Sequence, residues 1–196
     1  LGTVCKDIII GGTPSRKRRD YYSNGKHLWL SIKEMNNQVI MDTKEKINDL
    51  GVQNSNVKLI PKGTLLFSFK LTIGKTAIAG KDLYTNEAIA GLILNDEKIR
   101  RDFLNILINA KHIPLKVSSK VFGNTLNSDT IPLIKIPDVP LKIQDKIIKE
   151  ISELENYINL EEIKDANTNT VSVKELQSKM KEIPAKKQAI LDKYLK

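Results

Sequence analysis

One cysteine, Cys5, and two histidines, His27 and His112, occur in 196 residues. A lone thiol forbids an internal disulfide, and these scattered residues cannot supply the closely spaced ligands of a zinc site. A reducing cytoplasm is the expected compartment. Long hydrophobic runs are missing too: the longest apolar stretch, Ala88 to Leu94, is far too short to cross a bilayer, so no membrane span is expected. No signal peptide is recognisable. The sequence has no Pro-Pro pair, and this removes the Asn/Asp-Pro-Pro-aromatic motif with which a DNA aminomethyltransferase holds a flipped base. Ile73-Gly74-Lys75-Thr76 ends like a phosphate loop, but the glycine required five positions before Gly74 is replaced by Phe69, which argues against nucleotide hydrolysis. The first residue is Leu1 and not methionine, so a longer natural protein extending upstream is expected.

Positive charge, by contrast, is abundant and uneven. The chain carries 32 Lys and Arg against 23 Asp and Glu, a net charge of +9. Residues 1–80 hold 13 basic and 6 acidic side chains, residues 81–140 hold 8 and 7, and residues 141–196 hold 11 and 10. A concentrated positive field suits a polyanion, because each neutralised phosphate releases a counterion. Solubility alone is the alternative explanation.

Short extended segments separated by turns fill the first half: Asp7 to Ile10, Leu28 to Ile32, Val57 to Ile60 before Pro61, and Thr64 to Leu71. Helical spacing appears at Ile99, Phe103, Ile106, Leu107 and Ala110, with Asn95 and Asp96 as caps and an end near Pro114. Pro132, Pro137 and Pro140 then mark an extended connector over Ile131 to Leu141. Beyond it, Ile147, Ile151, Leu154 and Ile158 form one helical stripe, and Val173, Leu176, Met180 and Ile183 form a second. The polar stretch Asp165 to Thr170 between them predicts an antiparallel hairpin, and Pro184 should kink or restart the last helix. The expected fold class is α+β, with a β-rich domain over 1–140 and a helical arm over 141–196. That arm is too thin to bury its own stripes, so it needs either its own domain or a partner to cover it.

Catalytic patterns are sparse. Pro137, Asp138, Glu162 and Lys164 formally match a metal-dependent nuclease signature, but a helix separates the acids that should converge. Cys5 with either histidine imitates a nucleophile and base without supporting context. No catalytic residue and no metal ligand is assigned. What remains is recognition: Gly11-Gly12-Thr13-Pro14-Ser15 leads into the four consecutive cations Arg16, Lys17, Arg18 and Arg19, followed by Tyr21, Tyr22 and Trp29. Such a loop presents guanidinium groups to phosphates or guanine edges; a solvated basic turn is the alternative.

Several segments together resemble the target recognition domain of type I restriction-modification specificity subunits. They are Gly-Gly-Thr-Pro-Ser-Arg at 11–16, Tyr21 to Gly25, Leu28 to Ile32, Ile60 to Leu66, Thr72 to Ile78, Thr85 to Ala90, Gly123-Asn124-Thr125, Ile131 to Gln144 and Lys187 to Leu191. The connector departs from the family's usual pattern of two prolines and Glu-Gln, reading Pro137-Asp138-Val139-Pro140-Leu141-Lys142-Ile143-Gln144. The resemblance implies a non-catalytic component that binds double-stranded DNA and directs methyltransferase and restriction subunits to a target site. S-adenosylmethionine, Mg and ATP would then belong to those partners, and this chain would bind no cofactor. It implies DNA-binding residues among Thr13, Ser15, Arg16, Lys17, Arg18, Arg19, Lys70, Thr72 and Lys75. Helix pairing, with a second specificity half or in a homodimer, would use Ile147, Ile151, Leu154, Ile158, Leu176, Met180 and Ile183. Within the same resemblance, the chain could be the C-terminal recognition domain of a fused restriction-methyltransferase. Outside it, a small metal-dependent nuclease and a protein-interaction adaptor stay open.

Overall fold

The apolar run Ala88–Leu94, too short for a bilayer, supplies a central strand of a sheet. The computed structural model describes residues 1–115, 126–168 and 173–195. Within them, β1 (Cys5–Ile10), β2 (His27–Leu30), β3 (Val39–Ile40), β4 (Glu45–Ile47), α1 (Asp49–Gln53), β5 (Leu65–Ser68), β6 (Thr76–Ala79), β7 (Tyr84–Thr85) and β8 (Ile89–Leu94) precede the helices α2 (Arg101–Asn109), α3 (Leu141–Thr168) and α4 (Val173–Tyr194). The fold class is α+β, as the sequence predicts. A five-stranded sheet has the order β1-β8-β5-β6-β3, antiparallel except for the parallel pair β3 and β6. A three-stranded sheet has the order β4-β2-β7, with β2 antiparallel to β4 and parallel to β7.

The period-two alternation of strand side chains explains how the layers stack. Leu65 and Phe67 of β5 and Ala90, Leu92 and Leu94 of β8 share a core with Phe103, Leu104, Leu107 and Ile108 of α2. Their neighbours Leu66 and Ile89 belong to the opposite core, with Leu28 and Leu30 of β2, Met35, Ile60 and Leu83. The larger sheet is therefore covered on both faces, by helices on one and by the smaller sheet on the other. A strand buried on both faces reads as a continuous apolar run rather than an alternating one.

Several boundaries differ from expectation for identifiable reasons. The segment Leu28–Ile32 leaves the sheet at Leu30, because Ser31 and Glu34 form a capping box on a 3-10 turn at Ile32–Glu34. The segment Val57–Ile60 keeps only a bridge from Ile60 to Leu83, since Pro61 has no N–H to extend the ladder. The segment Thr64–Leu71 shortens to β5, whereas Asp7–Ile10 lengthens to β1. Helix α2 is capped by neither Asn95 nor Asp96: its N-cap is Arg100, without a side-chain cap of its own. Buried Gln144 substitutes for one. Its Oε1 accepts from the Arg100 N–H at 2.7 Å, and its Nε2 donates to the carbonyls of Lys98 and Val139 at 3.0 and 2.8 Å.

Helix α3 runs on to Thr168 through most of the stretch expected to be a loop. Residues 169–172 lie outside the described residues. Pro184 sits inside α4 rather than at a restart. The two helices are antiparallel, tied by Lys193 to Glu150 at 2.9 Å and by Lys187 to Glu155. The α2-side core crosses residue 140: Val139, Ile147, Ile151 and Leu191 lie in the same cluster as Phe103 and Leu107. The surface that covers this part of the arm is thus the chain's own domain.

Candidate nucleic-acid interface

The turn that opens the basic loop is seated by glycines that nothing larger could replace. Gly11 and Gly12 donate their N–H groups to Ile89 and Thr85 at 3.2 and 2.8 Å. A Cβ at Gly11 would lie 2.2 Å from the Thr85 hydroxyl, and one at Gly12 would lie 2.8 Å from the Asn56 carbonyl. Buried Trp29 locks the turn through Nε1, which donates to the Gly12 carbonyl at 3.0 Å. The Tyr22 hydroxyl donates to the Pro14 carbonyl at 2.7 Å.

Cation placement follows from this seat. Trp29 on β2 and Glu45 on β4 are register partners. The Arg16 guanidinium lies 4.6 Å from the Tyr22 ring and 4.8 Å from the Trp29 ring, and donates to both carboxylate oxygens of Glu45, with Nη2 to Oε2 at 3.0 Å. Those hydrogen bonds raise the Arg16 pKa and lower that of Glu45. Arg18 repeats the arrangement, stacked 4.6 Å from the Tyr21 ring and paired in two hydrogen bonds with Asp20 at 3.0 and 2.7 Å. Lys17 and Arg19 are exposed and make no ion pair among the described residues. Ser15 is exposed as well.

Three of the nine sequence candidates act on one carboxylate, one by contact and two by charge alone. The Thr13 hydroxyl donates to Glu87, and this bond lowers the Glu87 pKa against the opposing effect of burial, helped by a hydrogen bond from Glu87's own backbone and less by the charges of Lys70 and Arg16. Lys70 lies over the Phe69 ring at 5.5 Å. Thr72 is exposed on the same β5–β6 turn, but Lys75 lies further round, beside Asn37 and Asn109 on the α2 side. Gly74, with φ +92°, serves that turn's return and not a phosphate cradle.

The other sequence candidates sort as follows. Ile147 and Ile151 are buried against the domain and Leu191 of α4, so they join α3 to this chain itself. Leu154 and Ile183 are half-buried, and the side chains of Ile158, Leu176 and Met180 lie outside the described residues. The nuclease set does not converge: Asp138 precedes α3, whereas Glu162 lies roughly 30 Å along it at about 1.5 Å per residue. Among the described residues no group of three His, Cys, Asp or Glu is arranged to hold a metal. Burial pushes the Cys5 thiol up to about 11, so it stays protonated at neutral pH. Among the described residues no helix is long and apolar enough to cross a membrane. Tyr22 stands beside the basic loop in the sequence, but the sequence reading missed Glu45, Glu87 and Gln144 as partners. Only Glu45 left a trace, since it falls two positions before inward-facing Ile47 and so on the same strand face.

The family model of the type I restriction modification DNA specificity domain matches residues 1–169. The chain belongs to that family. Among the similar curated proteins is the specificity subunit of the type I restriction enzyme MjaIX of Methanocaldococcus jannaschii, 27% identical over 158 residues, which are 78% of this chain and 36% of the relative. Another is the HindI specificity subunit of Haemophilus influenzae, 28% identical over 134 residues, 66% of this chain and 29% of the relative. The specificity domain described here thus spans about a third of the length of these relatives. A chain solved in work on assembly of the type I R-M system superposes with a TM-score of 0.65 at 21% identity, covering 100% of this chain and 44% of that one. The HsdS subunit from Thermoanaerobacter tengcongensis gives 0.52 at 20% identity, covering 99% and 43%. These two likenesses establish the fold. In this specificity domain, the Gly-Gly-Thr-Pro-Ser-Arg segment is the turn seated on Trp29, and Gly123-Asn124-Thr125 lies outside the described residues.

Proposed function

We propose that this chain is a DNA-reading part of a type I specificity subunit, which binds double-stranded DNA through the 13–19 loop and the β5–β6 turn. The observation that carries this reading is the pair of exposed cations Lys17 and Arg19, without an ion pair among the described residues, on a loop seated by Trp29 in a member of the DNA specificity domain family. Arg16 and Arg18 already hold carboxylates and set the shape of the loop, so Lys17 and Arg19 are the cations available to phosphates. The chain itself is non-catalytic in this reading and cytoplasmic. S-adenosylmethionine, Mg and ATP belong to methyltransferase and restriction subunits, which it directs to the target. The α3–α4 arm, beyond the part covered by its own domain, is where a second specificity half or a second copy pairs.

Enrichment of a random duplex pool on the protein across a salt series tests this. A short motif that persists as salt rises is expected, and two spaced copies of it would indicate a pair of domains. Binding without any motif, or no binding at low salt, would overturn the reading.

A further inference from the structure

Leu71 is the most exposed large hydrophobic side chain among the described residues, 92% accessible at the apex of the β5–β6 turn. Its φ is +59°, in the left-handed region that glycine favours and a side chain with a Cβ resists. The surroundings enforce this conformation. Buried Ser68 clasps the turn from below: its hydroxyl donates to the Thr72 carbonyl at 2.5 Å and accepts from the Lys75 N–H at 2.9 Å. Its backbone pairs with the Lys75 carbonyl and the Gly74 N–H, both at 2.9 Å. Ile73 is also exposed, and Lys70 directly precedes the apex. Nothing in the fold is gained by holding a leucine in water in a disfavoured backbone conformation, whereas a preorganised apolar tip beside a cation suits a polyanion that has apolar groups in its grooves.

We propose that Leu71 is a specificity-determining residue that recognises thymine through its 5-methyl group in the major groove. The exposed tip of the β5–β6 turn enters that groove and Lys70 meets an adjacent phosphate. The major groove is wide enough to admit protein elements and is where the thymine methyl is displayed. This assignment rests on the DNA-reading function proposed above.

The test uses the enriched motif. Each thymine is replaced singly by deoxyuridine, which removes the methyl and keeps the pairing, and affinity is measured for the wild type and Leu71→Gly. At one position the wild type loses about fourfold, the worth of one buried methyl group, and Leu71→Gly loses nothing. Leu71→Gly binds the motif roughly tenfold more weakly, as expected for loss of a buried leucine contact. It binds unrelated DNA as the wild type does, and its melting midpoint is equal or higher because glycine tolerates the positive φ. A motif without thymine, a methyl effect that persists in Leu71→Gly, unchanged discrimination, or a lowered melting midpoint would each overturn the role of Leu71 while leaving the DNA-reading function standing. Failure to recover any motif would overturn both.

Discussion

The basic loop carries charge of one sign, the helical arm nearly balanced charge, and the two are held in place differently. On the arm, Lys149 pairs with Glu153, Lys186 with Glu182, Lys187 with Glu155 and Lys193 with Glu150, whereas Lys142, Lys146 and Lys181 make no ion pair among the described residues. On the loop, stacked Arg16 and Arg18 are paired, but Lys17 and Arg19 are left over. The arm is fixed by buried groups, namely Gln144, Ile147, Ile151 and Leu191, whereas the loop is fixed by half-exposed ion pairs on an aromatic seat. Net charge alone does not mark a surface for a polyanion; unpaired charge of one sign on one loop does.

The strongest way to break this contrast is at the arm's buried clamp. Gln144→Met keeps the volume but strands the Arg100 N–H and the carbonyls of Lys98 and Val139. Leaving such buried groups unpaired should cost about 3 kcal/mol of stability, measured by chemical denaturation. At the loop, Gly11→Ala forces a Cβ against the Thr85 hydroxyl and the Asn86 carbonyl, at 2.2 and 2.3 Å. Since backbone must move, a loss of about 2 kcal/mol is expected, of the size seen for overpacked sites. Equal losses in the two variants would mean that the loop is as deeply built into the fold as the arm.

How much of this was legible in advance depends on how far apart the partners lie in sequence. Helix α2 was found because Ile99, Phe103, Ile106 and Leu107 repeat at helical spacing, but its start was misplaced because its cap, Gln144, arrives 44 residues later. Strand β8 was visible only as an apolar run, since burial on both faces erases the alternation that marks a strand. The cations and the glycine turn at 11–19 were read directly, yet Glu45 and Glu87 were not, because they reach the loop through β2–β4 register and through the approach to β8. Local chemistry was legible. Which cations are already answered was not, as that depends on pairing across strands.

That distinction is sharpened by Lys17→Gln combined with Arg19→Gln. Both side chains are exposed and lack ion pairs among the described residues, so the fold should change by no more than about 0.5 kcal/mol. If each meets a phosphate, the slope of log affinity against log salt should fall by about 2. Arg16→Gln should behave differently, lowering the melting midpoint as well, because it removes the Glu45 pair and the stack on Trp29. An unchanged salt slope in the double variant would take Lys17 and Arg19 out of the interface.

The smallest effect concerns acid. Glu45 has its pKa lowered by the Arg16 hydrogen bonds and, to a lesser extent, by the charges of Arg16 and Lys33. Its carboxylate is therefore bound more strongly in the folded state than in the unfolded one. A group of this sign contributes its full stability above its ordinary value of 4.5 and loses it as pH falls through the lower folded value. Because the Arg16 and Glu45 side chains are 51% and 42% exposed, the contribution is only a few tenths of a kcal/mol. The wild type should accordingly melt slightly above Glu45→Gln at pH 7, and the gap should close as pH drops below about 4, the ordinary range of a glutamate. A gap that stayed constant to pH 3 would mean that Arg16 is held by the Tyr22 and Trp29 rings rather than by the carboxylate. The loop would then keep its shape in acid, because stacking on those rings does not depend on the Glu45 charge.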